Sequence, residues 1–412
     1  MILYITIAVV TALLAGLVDN HPVRQSHTLT RQQLANRVCL TAIFLILFLL
    51  SACRLNVGND YAKYVEFMHL VNCDAYVPTE IGFNLLVKLI YGLSGYENYL
   101  LVFAFYSFVT VLFFQLAMYE QSDEFGLTFF LFMTLGYYFQ TFSTVRYYLA
   151  LAVALYSMKF VLRGQWGRFV VLVSLGATFH KSLLVVIPLY FLASLPWKKW
   201  QLAIAAAFCT TFLFLQDFYL KLVVFLYPTY EDTEYLEGGT SYISILRCAA
   251  VLGFAGIVYR MRRRENNMKN DACVIKRGAA PEEGMKTGGH KAGVNDEKSV
   301  ITIEDEKDWN RRFWFYTYLN LGALVLYVFC SFLPIISRIG YYLMVSQILF
   351  LPMLLKAVPD KKWRRLFRAG ILLAAVLYFA MYLKKGANDG VLILPYKTFF
   401  FHEMVDILSD VT

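Results

Sequence analysis

The chain has 412 residues, of which 59% are hydrophobic and only 16% charged, with a net charge of +9 and a mean hydropathy of +0.54. Its apolar residues fall in long uncharged blocks, which excludes a soluble globular class. Inside hydrocarbon each segment must satisfy its own backbone hydrogen bonds, so the blocks are expected to be helices. The expected fold is therefore an all-α polytopic integral membrane protein, with residues 1–412 forming a single transmembrane domain.

In chain order, spans are expected at roughly residues 1–18, 38–53, 99–118, 125–142, 146–162, 202–216, 242–259, 313–333, 341–355 and 366–382. The first lacks a basic leader and a small-residue cleavage site, so it reads as a retained span. Residues 169–195 carry His180-Lys181-Ser182 at their middle. Read as two short helices meeting at a polar turn, they keep Lys198-Lys199, Arg262-Arg263-Arg264 and Arg364-Arg365 on the cytoplasmic side with the other basic clusters. About twelve passes follow, two of them half-helices, with both termini outside. Charges placed beside spans in this way imply no nucleic-acid partner.

Residues 54–98 form an external loop of amphipathic helices. Asn59-Asp60 can cap one whose Tyr61, Tyr64, Val65 and Met68 share a face, and residues 81–93 form a second apolar stretch. Residues 260–312 are charged and poor in apolar residues, as in a disordered cytoplasmic loop. The seven cysteines show no paired spacing, and there is neither a histidine cluster nor an Asp-x-Asp pair, so a metal is not supported. Without a glycine-rich phosphate loop, a nucleotide-driven pump is disfavoured and no cofactor is implied.

This topology collects Asp60, Glu66, Glu80, Arg146, His180, Lys181 and Arg338 on the external face. Arg146 and Arg338 each open a helix, where a guanidinium and free backbone amides would point at one anion such as a phosphate; each could also snorkel to headgroups. His180 lies within a hydrophobic block and suits the removal of a proton from a hydroxyl, with Asp60 and Glu80 as rival bases. Tyr147 and Tyr341 could stack on sugar rings, although interfacial belts use the same residues.

The order of Gly58-Asn59-Asp60-Tyr61, Pro78-Thr79-Glu80-Ile81-Gly82-Phe83, Arg146-Tyr147-Tyr148-Leu149, Phe179-His180-Lys181-Ser182-Leu183, Ser337-Arg338-Ile339-Gly340-Tyr341-Tyr342 and Pro395-Tyr396-Lys397 resembles the EpsG-like family of Wzy-type polysaccharide polymerases. The resemblance covers most of the chain. It implies a bacterial enzyme of the cytoplasmic membrane whose active site faces the extracytoplasmic side. Its donor and acceptor would be undecaprenyl-diphosphate-linked oligosaccharides, its product a capsule, exopolysaccharide or O-antigen, and a chain-length regulator a candidate partner. His180 would then serve as base, Arg146 and Arg338, with Lys181 beside them, would hold the diphosphate, and Asp60, Glu80 and the tyrosines would position the acceptor. A flippase for lipid-linked sugars would share the composition but predicts inverted repeats and mid-membrane charges. A membrane acyltransferase would also need an in-membrane histidine.

Overall fold

The computed structural model describes residues 1–20, 30–219, 221, 241–278, 292–331, 336–386 and 391–402. The chain is an all-α polytopic membrane protein. Its helices are α1 (Ile2–Gly16), α2 (Arg31–Ala52), α3 (Tyr61–Asn72), α4 (Ile81–Ser94), α5 (Tyr99–Gln121), α6 (Phe125–Thr134), α7 (Tyr137–Gln140), α8 (Val145–Leu162), α9 (Trp166–Ala177), α10 (Val186–Ser194), α11 (Lys199–Phe214), α12 (Tyr242–Gly278), α13 (Ala292–Phe329), α14 (Ile336–Met344), α15 (Gln347–Lys356) and α16 (Lys361–Lys385). Among the described residues, six stretches are long and apolar enough to cross a membrane: α2, α5, α8, residues Tyr242–Met268 of α12, Arg338–Lys356, and α16. Shorter apolar helices, α1, α4, α6 and α9 among them, accompany these.

Several expected spans are interrupted, each for an identifiable reason. Residues 1–18 yield a helix of 15 residues, which at about 1.5 Å per residue falls short of a hydrocarbon core of about 30 Å. Residues 125–142 break between α6 and α7 at Gly136, whose φ of +79° is a left-handed conformation that glycine adopts without strain. Tyr382 of α16 packs over that glycine, 3.2 Å from where a Cβ would stand. Residues 169–195 break as expected: α9 ends at Ala177, and a 3-10 turn over Lys181–Val185 leads into α10. The charged stretch 260–312 continues as helix in its described parts, extending α12 and α13 past their apolar segments. Arg262 lies 4.2 Å over the Trp309 ring and Asn266 Nδ2 donates to Glu306 Oε1 at 2.8 Å, so polar pairing between the two helices replaces apolar burial there.

The chain divides into two compact units: residues Met1–Leu189, Leu351–Met353 and Phe367–Thr412, and residues Tyr190–Phe350 and Leu354–Leu366. The expected span 341–355 breaks between α14 and α15 at Val345-Ser346, in the second unit, because the chain turns around a buried polar network. Gln347 Nε2 donates to Asn320 Oδ1 at 2.8 Å, Asn320 Nδ2 to Ser346 Oγ at 3.2 Å, and Arg247 Nη2 to Gln347 Oε1 at 2.9 Å. Such a network is tolerated at membrane depth where its members satisfy one another.

In the first unit the link between α2 and α3 is built around Arg54, which is fully buried. Its Nη1 donates to the Ser51 carbonyl and, at 3.0 Å, to Ser51 Oγ. Among the described residues its charge faces rings rather than a carboxylate: Phe103 at 5.2 Å, Phe142 at 5.3 Å and Tyr61 at 6.0 Å, an arrangement that gains from desolvated cation–π attraction. The C-terminal segment closes over this link. Leu55 N donates to Lys397 O at 3.0 Å, Gly58 N to Leu392 O at 2.9 Å, and the Tyr396 hydroxyl to Leu50 O at 2.8 Å. Pro395-Tyr396-Lys397 is thus part of the framework beneath the loop that carries Asp60. Gly58 permits the approach: at φ +103° a Cβ there would stand 2.1 Å from the Phe142 carbonyl oxygen.

Candidate active site

The helices α3 and α4 bring Glu80 to the N-terminus of α8. The α3 face anticipated from sequence, Tyr61, Tyr64, Val65 and Met68, is buried. Asp60 precedes it at the N-cap position, but no capping bond forms from its side chain, because its φ of −91° and ψ of 1° depart from the extended geometry that points a cap at the free amides. Glu80 has that extended geometry, at φ −78° and ψ 155°, yet makes no cap bond either. Its carboxylate crosses instead to residues from two other helical segments.

Glu80 Oε2 accepts from Arg146 Nη1, while Oε1 accepts from the Lys181 backbone N–H at 3.1 Å and lies 3.5 Å from His180 Nδ1. The side chains of Glu80, Arg146 and His180 are each only 12–13% exposed, so a charge among them needs a partner. Arg146 sits in the first turn of α8, where the helix dipole disfavours a cation, and the carboxylate of Glu80 offsets this. The guanidinium also lies over Phe83 at 5.2 Å and Tyr64 at 5.5 Å. Sequence placed Tyr64 on the buried face of α3 and Phe83 in the motif that follows Glu80, but gave neither ring a place at the site.

Burial pushes the Glu80 carboxyl upward, but the His180 imidazole 3.5 Å away, the charge of Arg146 and the Lys181 amide outweigh it and bring it to about 2. A carboxyl whose folded value lies below its ordinary 4.5 stabilises the fold above that ordinary value, and the contribution is lost as pH falls toward the folded value. The melting-temperature gap between wild type and Glu80→Gln should therefore be present at neutral pH and shrink as pH falls from 4.5 to about 2. A gap independent of pH would contradict the ionised pairing.

Local backbone packing sets this geometry. Gly82 N donates to the Thr178 carbonyl at 2.8 Å, joining the start of α4 to the turn that carries His180. A Cβ on Gly82 would stand 2.7 Å from that carbonyl oxygen and 2.8 Å from Thr178 Oγ1, so the glycine permits the approach of Glu80 to His180. Gly82→Ala should separate the two and lower activity by about a hundredfold, the cost of displacing a reacting group by roughly 1 Å. Gly92→Ala, on the same helix with nothing within 4 Å of the added carbon, should retain activity and gain up to about 1 kcal/mol of helix propensity. Turnover and melting temperature of the two variants check this.

The remaining anticipated residues are placed as follows. Tyr147 is buried and sets its ring edge-to-face on His180, with centroids 5.7 Å apart, so it orients the imidazole and offers little face to a sugar. The Lys181 side chain is exposed, and it is the backbone amide that serves Glu80. Arg338 and Tyr341 lie in the second unit, on α14; Arg338 is exposed and Tyr341 half-buried. Gly340 beside them packs on Tyr327, whose ring carbons would stand within 2.7 Å of an added Cβ. Tyr342 is buried, and its carbonyl accepts from the Tyr190 hydroxyl at 3.0 Å.

Compared with known proteins, the chain matches the EpsG family model over residues 37–398. No curated protein and no solved structure matches it. The matched span runs from α2 to the C-terminal segment that closes over Arg54, and takes in every residue of the Glu80, Arg146 and His180 cluster. The chain belongs to the EpsG family, whose members are Wzy-like polymerases.

Proposed function

We propose that the protein polymerises undecaprenyl-diphosphate-linked oligosaccharide repeat units on the outer face of the bacterial cytoplasmic membrane, in capsule, exopolysaccharide or O-antigen synthesis. The observation that carries the reading is the convergence of Glu80, Arg146 and His180 in one nearly enclosed cluster, within a chain of a polymerase family. An acceptor hydroxyl attacks the anomeric carbon of the donor glycan, the bond from that carbon to the diphosphate oxygen breaks, and the hydroxyl proton is taken up by the enzyme. With Nδ1 turned to Glu80, His180 carries its proton on that nitrogen and presents Nε2 as the base. The carboxylate holds the imidazole and stabilises the imidazolium once the proton arrives.

Arg146 keeps Glu80 ionised and fixed, so its part in the reaction runs through the carboxylate as well as through any contact with the diphosphate. Arg338, exposed in the first turn of α14, is by itself suited to an anion, because backbone amides and guanidinium there favour the same charge. Asp60 is assigned to positioning of the acceptor sugar, and Tyr147 to holding the His180 ring. The lipid diphosphate supplies the activation, so the reaction consumes no nucleotide.

The reading is tested in cells lacking the gene. They should lose the polymer and accumulate single lipid-linked repeat units at the outer face, with wild type restoring chains and His180→Gln leaving the single units in place. Accumulation on the cytoplasmic side would identify a flippase instead.

A further inference from the structure

The fold assembles three metal-binding side chains away from the Glu80 cluster. His69 and Cys73 stand four residues apart at the end of α3, a spacing that brings both side chains to one helix face. Glu97 reaches them from the turn between α4 and α5, which Gly95 makes at φ +72°. Cys73 Sγ lies 3.7 Å from His69 Nε2, and His69 Nδ1 lies 3.0 Å from both carboxylate oxygens of Glu97. Imidazole, thiol and carboxylate donor atoms all fall within 4.8 Å of one another. Asn72 Nδ2 donates to Glu97 Oε1 at 2.8 Å and fixes the carboxylate from outside.

We propose that His69, Cys73 and Glu97 form a structural site for a zinc-class divalent ion. Two adjacent ligands of tetrahedral zinc, at about 2.0 Å for nitrogen or oxygen and about 2.3 Å for sulfur, stand roughly 3.3–3.7 Å apart. Cys73 Sγ stands beside Nε2 and Glu97 beside Nδ1, two nitrogens of one ring of which an ion takes only one, so a rotation of the imidazole that turns a single nitrogen to the ion closes a set whose donor atoms already lie within 4.8 Å of one another. A borderline-soft mixture of thiolate, imidazole and carboxylate favours zinc over magnesium or calcium, which want oxygen ligands throughout. Water takes the remaining position, since the cluster is open to solvent: His69 is 35% and Glu97 27% exposed, and Cys73 is exposed.

The consequence lies in the connectivity. The metal would clip the end of α3 to the turn before α5, closing the segment that contains α4 and residues 74–80. Glu80 is the last residue of that loop, so a bound ion would restrict the excursions of the residue that orients His180. The site rests on its own side chains and does not depend on the polymerase reading.

The test uses the full-length chain in lipid nanodiscs, stripped with a chelator and titrated with cobalt(II), whose tetrahedral thiolate complexes absorb in the near ultraviolet. One cobalt per chain with that band, displaced by zinc(II), is the expected result. Cys73→Ser should lose the band, and His69→Ala should weaken binding at least tenfold. Glu97→Gln should weaken it by about 10- to 100-fold, whether as ligand or as orienting partner. Absence of the band in the wild type, or a band of equal strength surviving in Cys73→Ser, would overturn the proposal. Melting temperature at each cobalt concentration separates folded variants from misfolded ones, because only folded Cys73→Ser chains give a meaningful loss of the band.

Discussion

His180→Gln is expected to insert and melt like the wild type while losing two to four orders of magnitude in polymerisation rate, the usual contribution of a positioned general base. Glutamine retains a hydrogen-bond donor toward Glu80 and fills a similar volume, so the pairing of Glu80 with Arg146 and the Lys181 amide survives. What it cannot do is accept the acceptor hydroxyl's proton. Donor binding, measured separately with a non-reactive lipid diphosphate, should be retained. Near-normal turnover in His180→Gln would move the base to Asp60 or Glu80. Loss of donor binding together with turnover would make His180 a donor-site residue.

Arg146→Met is expected to have the largest effect on stability. Removing the guanidinium strands a carboxylate that is 13% exposed, and an uncompensated buried charge typically costs about 3–5 kcal/mol. The double variant Arg146→Met with Glu80→Gln should recover much of that stability, since two neutral groups replace a broken ion pair, while remaining inactive because His180 has lost its carboxylate. Melting temperatures of the two single variants and the double variant form a cycle that isolates the coupling. Additive effects would show that the pair contributes nothing, and recovered polymer in the double variant would show that the carboxylate has no part in the reaction.

The sequence exposed some of these features and concealed others, for reasons that particular residues make plain. The break at residues 178–180 was visible because His180-Lys181-Ser182 places polar groups inside an otherwise apolar block. The breaks at Gly136 and Ser346 were not, since each depends on partners distant in sequence: Tyr382 over the glycine, and Asn320 on the serine. The buried face of α3 followed from its periodicity, whereas the failure of Asp60 to cap it depends on backbone angles that composition does not encode.

At the site, the right residue types were found but in separate roles. Arg146 was expected to meet a phosphate and Glu80 to serve as a base or an acceptor contact, yet the fold pairs them across 66 residues of sequence. Arg54 stands in sequence only as the first residue of the external loop; the rings that receive its charge come from α3, α5 and the α7–α8 link, and only folding brings them together. Long-range packing of this kind leaves no local periodicity to read. The same holds for His69, Cys73 and Glu97, of which only the first two are close enough in sequence to suggest a shared helix face.

The most direct test of the central claim is chain formation by the purified protein. Full-length wild type in nanodiscs is given a synthetic undecaprenyl-diphosphate-linked repeat unit with no nucleotide present, and products are resolved by mass. The expected result is a ladder of lipid-linked chains of two or more repeat units, one free lipid diphosphate released for each new linkage, and no ladder with His180→Gln. Recovery of the repeat unit unchanged or acylated, from protein shown to be folded and to bind it, would contradict the account.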